Sequence, residues 1–194
     1  MENDIIKFSK KIFKKAMDAA RNKGNMKPAK IEAIKEHTKR VEKYCEIFYK
    51  AAEKNGIKID EDKLLSAAWL HDIAKFNGQT DDDHNNPNEI KETLKWVNGD
   101  YSKFGDVFKE VLYIIKYHKG NDYLPPTKYQ MECFALRWLD KFDRIPKKLN
   151  KYDNKKYNFD LLDKKRQSKI KDLSKEYIKK SVEALTFIIS SPID

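Results

Sequence analysis

Cysteine, glycine and proline are all scarce in this chain, and each shortage removes a class of protein. The two cysteines, Cys45 and Cys133, fall within amphipathic stretches among apolar neighbours. That placement suits buried thiols in a reducing compartment and argues against a secreted disulfide framework. Six glycines and six prolines in 194 residues are too few to punctuate many short strands, and they fall instead between apolar segments of helical period. No run approaches the roughly 18 uninterrupted apolar residues of a membrane span. The opening MENDIIKFSKK sets charges on both sides of a short apolar run, unlike a signal peptide. The expectation is a cytoplasmic protein without a membrane anchor.

What is abundant is charge. Lys and Arg number 41 against 31 Asp and Glu, a formal +10, which suggests an anionic partner such as a nucleotide, a phosphorylated metabolite or a nucleic acid. Most of the excess is lysine scattered as on solvated helix faces. The densest stretch, 147–180 (KKLNKYDNKKY, then KKRQSKIK), lacks regular aromatic interleaving and any recognised nucleic-acid motif, so nucleic acid is not the favoured partner. A chain of this length buries one core without staples, and a single domain over 1–194 is expected.

The apolar periodicity predicts an all-α helical bundle of about six to seven helices. An N-terminal helix within residues 1–24 carries Ile5, Phe8, Ile12, Ala16 and Ala19 at helical spacing. A second, from about 30 to 55, aligns Ile31, Ile34, His37, Val41, Cys45 and Phe48 on one face, with Gly56 as its stop. The segment DEDKLLSAAWLHDIAKF opens with acidic residues suited to a helix N-terminus and is apolar nearly all round, which predicts a helix at the centre of a bundle that ends at His71 and Asp72. After the polar loop NGQTDDDHNN, which carries His84, Asn86 and Pro87 resemble the cap and first position of a helix with Ile90, Leu94 and Val97. Phe108, Val111, Ile115 and His118 then form one stripe over about 104–119, and Cys133, Leu136 and Asp140 another over about 128–145, ending at Pro146. The segment 147–194 reads as a basic loop, longest over 147–156, and a final helix over about 161–190.

Several polar residues interrupt these inward faces. An ionised carboxylate on a buried stripe needs a cation, a metal or several hydrogen bonds, which singles out Asp140 and Asp72. His37, His71 and His118 pose the same question more mildly, because a lone inward histidine is ordinarily hydrogen-bonded packing. Convergence changes the reading: three of the chain's four histidines fall on inward faces of different helices, beside two inward aspartates. Imidazole with carboxylate suits borderline divalent ions. Neighbours on a helix diverge by about 100°, so His71 and Asp72 reach one ion only from a helix end or rim, or else the carboxylate bridges two ions.

The ordered pattern of His37, then LLSAAWLHDIAK with His71 and Asp72, then Asp140 in LRWLDKFDRI resembles the HD superfamily of metal-dependent phosphohydrolases. The resemblance covers about 30–145. It implies that His37, His71, Asp72 and Asp140 bind a first ion, and that His84 and His118 stand where some members hold a second, with Asp72 bridging. One or two divalent ions (manganese, iron, cobalt, nickel, zinc or magnesium) are the implied cofactor. The residues after His118 (HKGNDYLPP) and after Asp140 (KFDRIPKK) depart from the extended signatures of the dinucleoside-tetraphosphate and cyclic-dinucleotide branches.

The reaction so implied is cleavage of a phosphomonoester or phosphodiester of a nucleotide or related small molecule by a metal-activated water. Asp72 and Lys75 would be the catalytic pair. Lys75, one turn after His71, is the phosphate contact that the resemblance implies, with Lys141 and Arg144 as further candidates that otherwise read as helix-surface charge; Asp143 would pair with a neighbouring base. Two other readings stand beside it: an HD-type di-iron oxygenase, separated by iron content and oxygen dependence, and a non-catalytic nucleotide or nucleic-acid binding module using the 147–180 surface.

Overall fold

The computed structural model describes residues 4–24, 26–54, 56–79, 87–97, 104–118 and 129–150, with the side chains at 51, 87, 142 and 144–150 left outside the description. These residues form six α-helices and one 3₁₀ turn with no strand among them: α1 (Asp4–Lys23), α2 (Pro28–Lys54), α3 (Glu61–Leu70), the 3₁₀ turn (Ile73–Asn77), α4 (Pro87–Val97), α5 (Gly105–Tyr117) and α6 (Gln130–Asn150). The protein is all-α, as the periodicity predicts. The chain divides into two compact units, Met1–Arg137 and Trp138–Asp194.

In the first unit α3 is the hub, packed against α1, α2 and α5. At ten residues it is too short to be stable alone, so its helicity comes from burial. All seven residues from Leu64 to Leu70 are buried, and the large side chains among them each contribute roughly 1.5–3 kcal/mol. Asp60 caps its N-terminus, accepting the Lys63 N–H at 3.1 Å, and Glu61 and Asp62 occupy the first turn, where they favour the helix dipole. On α2 the buried face is Ile31, Ile34, His37, Thr38, Val41, Cys45, Phe48 and Ala52, which is the predicted stripe with Thr38 and Ala52 added.

Aromatic rings fix how α1 meets α3. Phe13 packs edge-on against Trp69 at 5.2 Å and against Phe76 at 5.1 Å between centroids. One α1 side chain thereby contacts the last turn of α3 and the 3₁₀ turn, on either side of His71 and Asp72. The start of α6 is tied to α3 by an ionic cluster. The Lys63 ammonium meets Asp60 at 2.6 Å and Glu110 at 2.9 Å and lies over the Tyr129 ring. Burial opposes its charge, but the two carboxylates hold its pKa above the ordinary lysine range. Glu132 accepts the Asp60 backbone N–H at 2.7 Å.

Two expectations are corrected. The apolar face of α4 was expected at Ile90, Leu94 and Val97, but Leu94 is 41% exposed while Glu89, Glu92 and Thr93 are buried beside Val97. That helix packs on the 3₁₀ turn, whose polar groups draw the glutamates inward. The central helix ends where the sequence places its end, at His71 and Asp72: α3 stops at Leu70 with His71 as its C-cap, and a 3₁₀ turn starts at Ile73. Finally, α6 runs through Pro146 to Asn150, since a helix tolerates an interior proline at the cost of one backbone hydrogen bond and a bend; the first four residues of the expected 147–156 loop are therefore helical. The expected helix at about 161–190, and the rest of the basic segment, lie outside the described residues.

Candidate metal centre

The break between α3 and the 3₁₀ turn is what lets two sequence neighbours point to one place. His71 is the C-cap of α3, with φ −62° and ψ −20°. Asp72 leaves helical geometry, at φ −124° and ψ 18°, and both side chains are essentially fully buried, at 0% and 1% exposure. A left-handed Gly78 at φ 75° closes the turn, a conformation that costs glycine little. From α2, His37 projects toward the pair.

Three ligand-type atoms meet here. His37 Nε2 lies 3.3 Å from His71 Nε2 and 3.2 Å from Asp72 Oδ2, and His71 Nε2 lies 3.4 Å from that same oxygen. His71 Nδ1 lies 2.7 Å from the Ala68 carbonyl, which can only accept, so Nδ1 donates and Nε2 is the ring atom turned to the triangle. The Lys75 ammonium reaches the same Asp72 oxygen, so the carboxylate meets a lysine as well as two imidazole nitrogens. Imidazole nitrogen with carboxylate oxygen is the donor set of a borderline divalent ion. The spacing also fits, because ligands at about 2.0–2.1 Å from a tetrahedral ion stand about 3.3–3.4 Å apart. His37, His71 and Asp72 belong to a buried group able to hold a metal ion.

The other expected residues divide. Lys75, on the first turn after Asp72, forms an ion pair with Asp72 Oδ2, so the cation closest in sequence is already directed at the carboxylate; its side chain is 25% exposed. His118 repeats the design of His71: it is the C-cap of α5, its Nδ1 donates to the Ile115 carbonyl at 2.6 Å, and its ring stands edge-on to His71 at 5.5 Å. It lies next to the triangle but is not in the group of mutually close ligand atoms. Asp140 belongs to the second unit, where it is buried, as is Asp143. Lys141, in the same unit, lies over the Trp138 ring at 4.6 Å. His84 and the Arg144 side chain fall outside the described residues.

Sequence reasoning passed over three residues around this centre. Arg137 is buried and donates to the carbonyls of His118 at 3.0 Å and Tyr117 at 2.7 Å, closing the C-terminus of α5 as a cation should. Glu89 accepts the Ala74 N–H at 2.8 Å, and Glu92 accepts from the Asn77 amide at 2.5 Å. The only signal for the glutamates was their own helical spacing with Thr93 and Val97, which the competing apolar stripe of Ile90 and Leu94 concealed.

In comparison with protein families, the model of the HD domain matches residues 34–145, more than half of the chain. Comparison with curated proteins and with solved structures gives none.

Proposed function

The chain belongs to the HD domain family, whose members are generally metal-dependent hydrolases, and on that premise we propose that it is a phosphohydrolase cleaving a phosphomonoester or phosphodiester bond of a nucleotide or related small phosphorylated molecule. The observation that carries this reading is the buried triangle of His37, His71 and Asp72, two imidazole nitrogens and a carboxylate oxygen at the spacing of ligands around one ion. Asp140 completes the ligand set in this proposal. Its place in the ordered pattern and its burial at 4% exposure both argue for an employed carboxylate.

A divalent ion held there supplies Lewis acidity, lowering the pKa of a water toward neutrality and offsetting charge that develops on phosphoryl oxygens. The chain's own residues do the positioning. The Ala68 carbonyl fixes the tautomer and ring orientation of His71. The burial of His37, His71 and Asp72 strengthens every charge interaction among them. Lys75 balances Asp72 from a partly exposed position, and in this proposal its ammonium is the contact for an incoming phosphate. The formal charge of +10 favours anionic substrates, and the buried free thiols Cys45 and Cys133 suit the reducing environment of a cytoplasm.

The test is turnover of p-nitrophenyl phosphate, bis(p-nitrophenyl) phosphate and a panel of nucleotides by protein loaded with manganese, cobalt or nickel. Hydrolysis of at least one, reduced about a hundredfold or more by His71→Ala and by Asp72→Ala, is expected. Absence of hydrolysis in loaded protein, or full activity in either variant, would overturn the assignment.

A further inference from the structure

Asp72 holds the N-cap position of the 3₁₀ turn, and an aspartate there ordinarily spends its carboxylate on the N–H of the second or third residue of the turn. Asp72 does not: it makes no side-chain capping bond. The N–H of the third residue, Lys75, goes to the Asp72 backbone carbonyl at 3.1 Å. The N–H of the second, Ala74, goes to Glu89 Oε2 at 2.8 Å, across from another helix. Glu89 is fully buried, at 0% exposure, and the Thr93 hydroxyl donates to its backbone carbonyl at 2.7 Å. One turn later Glu92 takes the Asn77 amide at the far end of the same 3₁₀ turn, so α4 grips the turn at both ends.

We propose that Glu89 is a positioning residue that caps the 3₁₀ turn in place of Asp72 and so leaves the Asp72 carboxylate to the metal centre. The inference rests on the proposed metal centre. The physical choice is simple. A buried N–H left without an acceptor carries its full desolvation penalty, so a turn without Glu89 would draw on the acceptor ordinary at an N-cap, the Asp72 carboxylate. A carboxylate so engaged is less available to a metal ion beside His37 and His71. The amide of glutamine retains a carbonyl oxygen for Ala74, whereas leucine does not.

The experiment compares cobalt and zinc affinity, by competition with a chromophoric chelator, in the wild type, Glu89→Gln, Glu89→Leu and Asn77→Ala. Glu89→Gln is expected within about threefold of wild type. Glu89→Leu should weaken binding about 10–100-fold, as loss of a residue behind a ligand does, and should change the cobalt visible spectrum. Asn77→Ala, which loosens the turn without exposing Ala74 N–H, should stay near wild type. Equal affinity in folded Glu89→Leu, or equal loss in Asn77→Ala, would overturn the proposal. Should Glu89→Leu fail to fold, amide exchange in the metal-free wild type decides. Ala74 N–H is expected to be protected at least about a hundredfold over an unstructured amide; exchange at the unstructured rate would refute the capping role. If the wild type binds neither metal, the metal centre itself fails, and the exchange measurement still judges the cap.

Discussion

His71 Nε2 and Asp72 Oδ2 stand 3.4 Å apart, a closeness of sequence neighbours that the break between α3 and the 3₁₀ turn makes possible. Lys75 pairs with the same carboxylate from the partly exposed side. A divalent ion held among His37, His71 and Asp72 would bind the folded state in preference to the unfolded one, where these atoms are not assembled.

Added manganese, cobalt or zinc should therefore raise the thermal midpoint. At a hundred times the dissociation constant, binding adds about 2.7 kcal/mol, which for a protein of this size is a rise of roughly 5–10 °C. His37→Ala and Asp72→Asn should each abolish the rise. Differential scanning fluorimetry with and without metal checks this, and an undiminished rise in either variant would remove that residue from the centre.

Phe13 is 2% exposed and contacts both Trp69 and Phe76, so it braces the two segments that flank the ligand pair. Phe13→Ala should cost about 3–5 kcal/mol by the cavity it leaves. Urea denaturation measures it; a loss under about 1 kcal/mol would mean that α1 does not brace the site.

Cys133 makes a prediction in alkali. Burial, reinforced by the Glu132 carboxylate beside it, pushes its thiol up to about 12 from an ordinary value of 9.0. A pKa raised in the folded state contributes stability that is complete below the unfolded value and is lost as pH rises through the folded one. Stability should thus fall between about pH 9 and about pH 12, less steeply in Cys133→Ser. At pH 8 the native thiol should react with an aromatic disulfide about a hundredfold or more slower than in denaturant. Rapid native labelling of Cys133 would contradict the burial.

The fold was legible wherever apolar residues dominated a helix face. The α2 stripe is the observed one from Ile31 to Phe48, and it delivered His37 to the centre because a histidine on an otherwise apolar stripe has to point inward. The pair His71 and Asp72 was legible as a helix-end feature, since neighbours inside a helix diverge, although the 3₁₀ turn that realises it was not. Three things stayed hidden. Leu94 outweighed Glu89 and Glu92 because hydrophobic period cannot see a polar partner on another segment, and the partner here is the backbone of Ala74. Lys75 was expected at a phosphate, and its contact with Asp72 follows from the tight i,i+3 stacking of a 3₁₀ turn, which a helical reading does not contain. The passage of α6 through Pro146 defeats a rule that holds only on average.

Whether His37, His71 and Asp72 hold a metal ion is tested most directly by equilibrium dialysis with elemental analysis. Wild-type protein dialysed against micromolar manganese, cobalt or zinc should retain at least about one equivalent of one of them, while His71→Ala and Asp72→Asn, folded by circular dichroism, should retain less than about a tenth. Wild-type protein that retains no metal, or variants that retain as much as wild type, would contradict it.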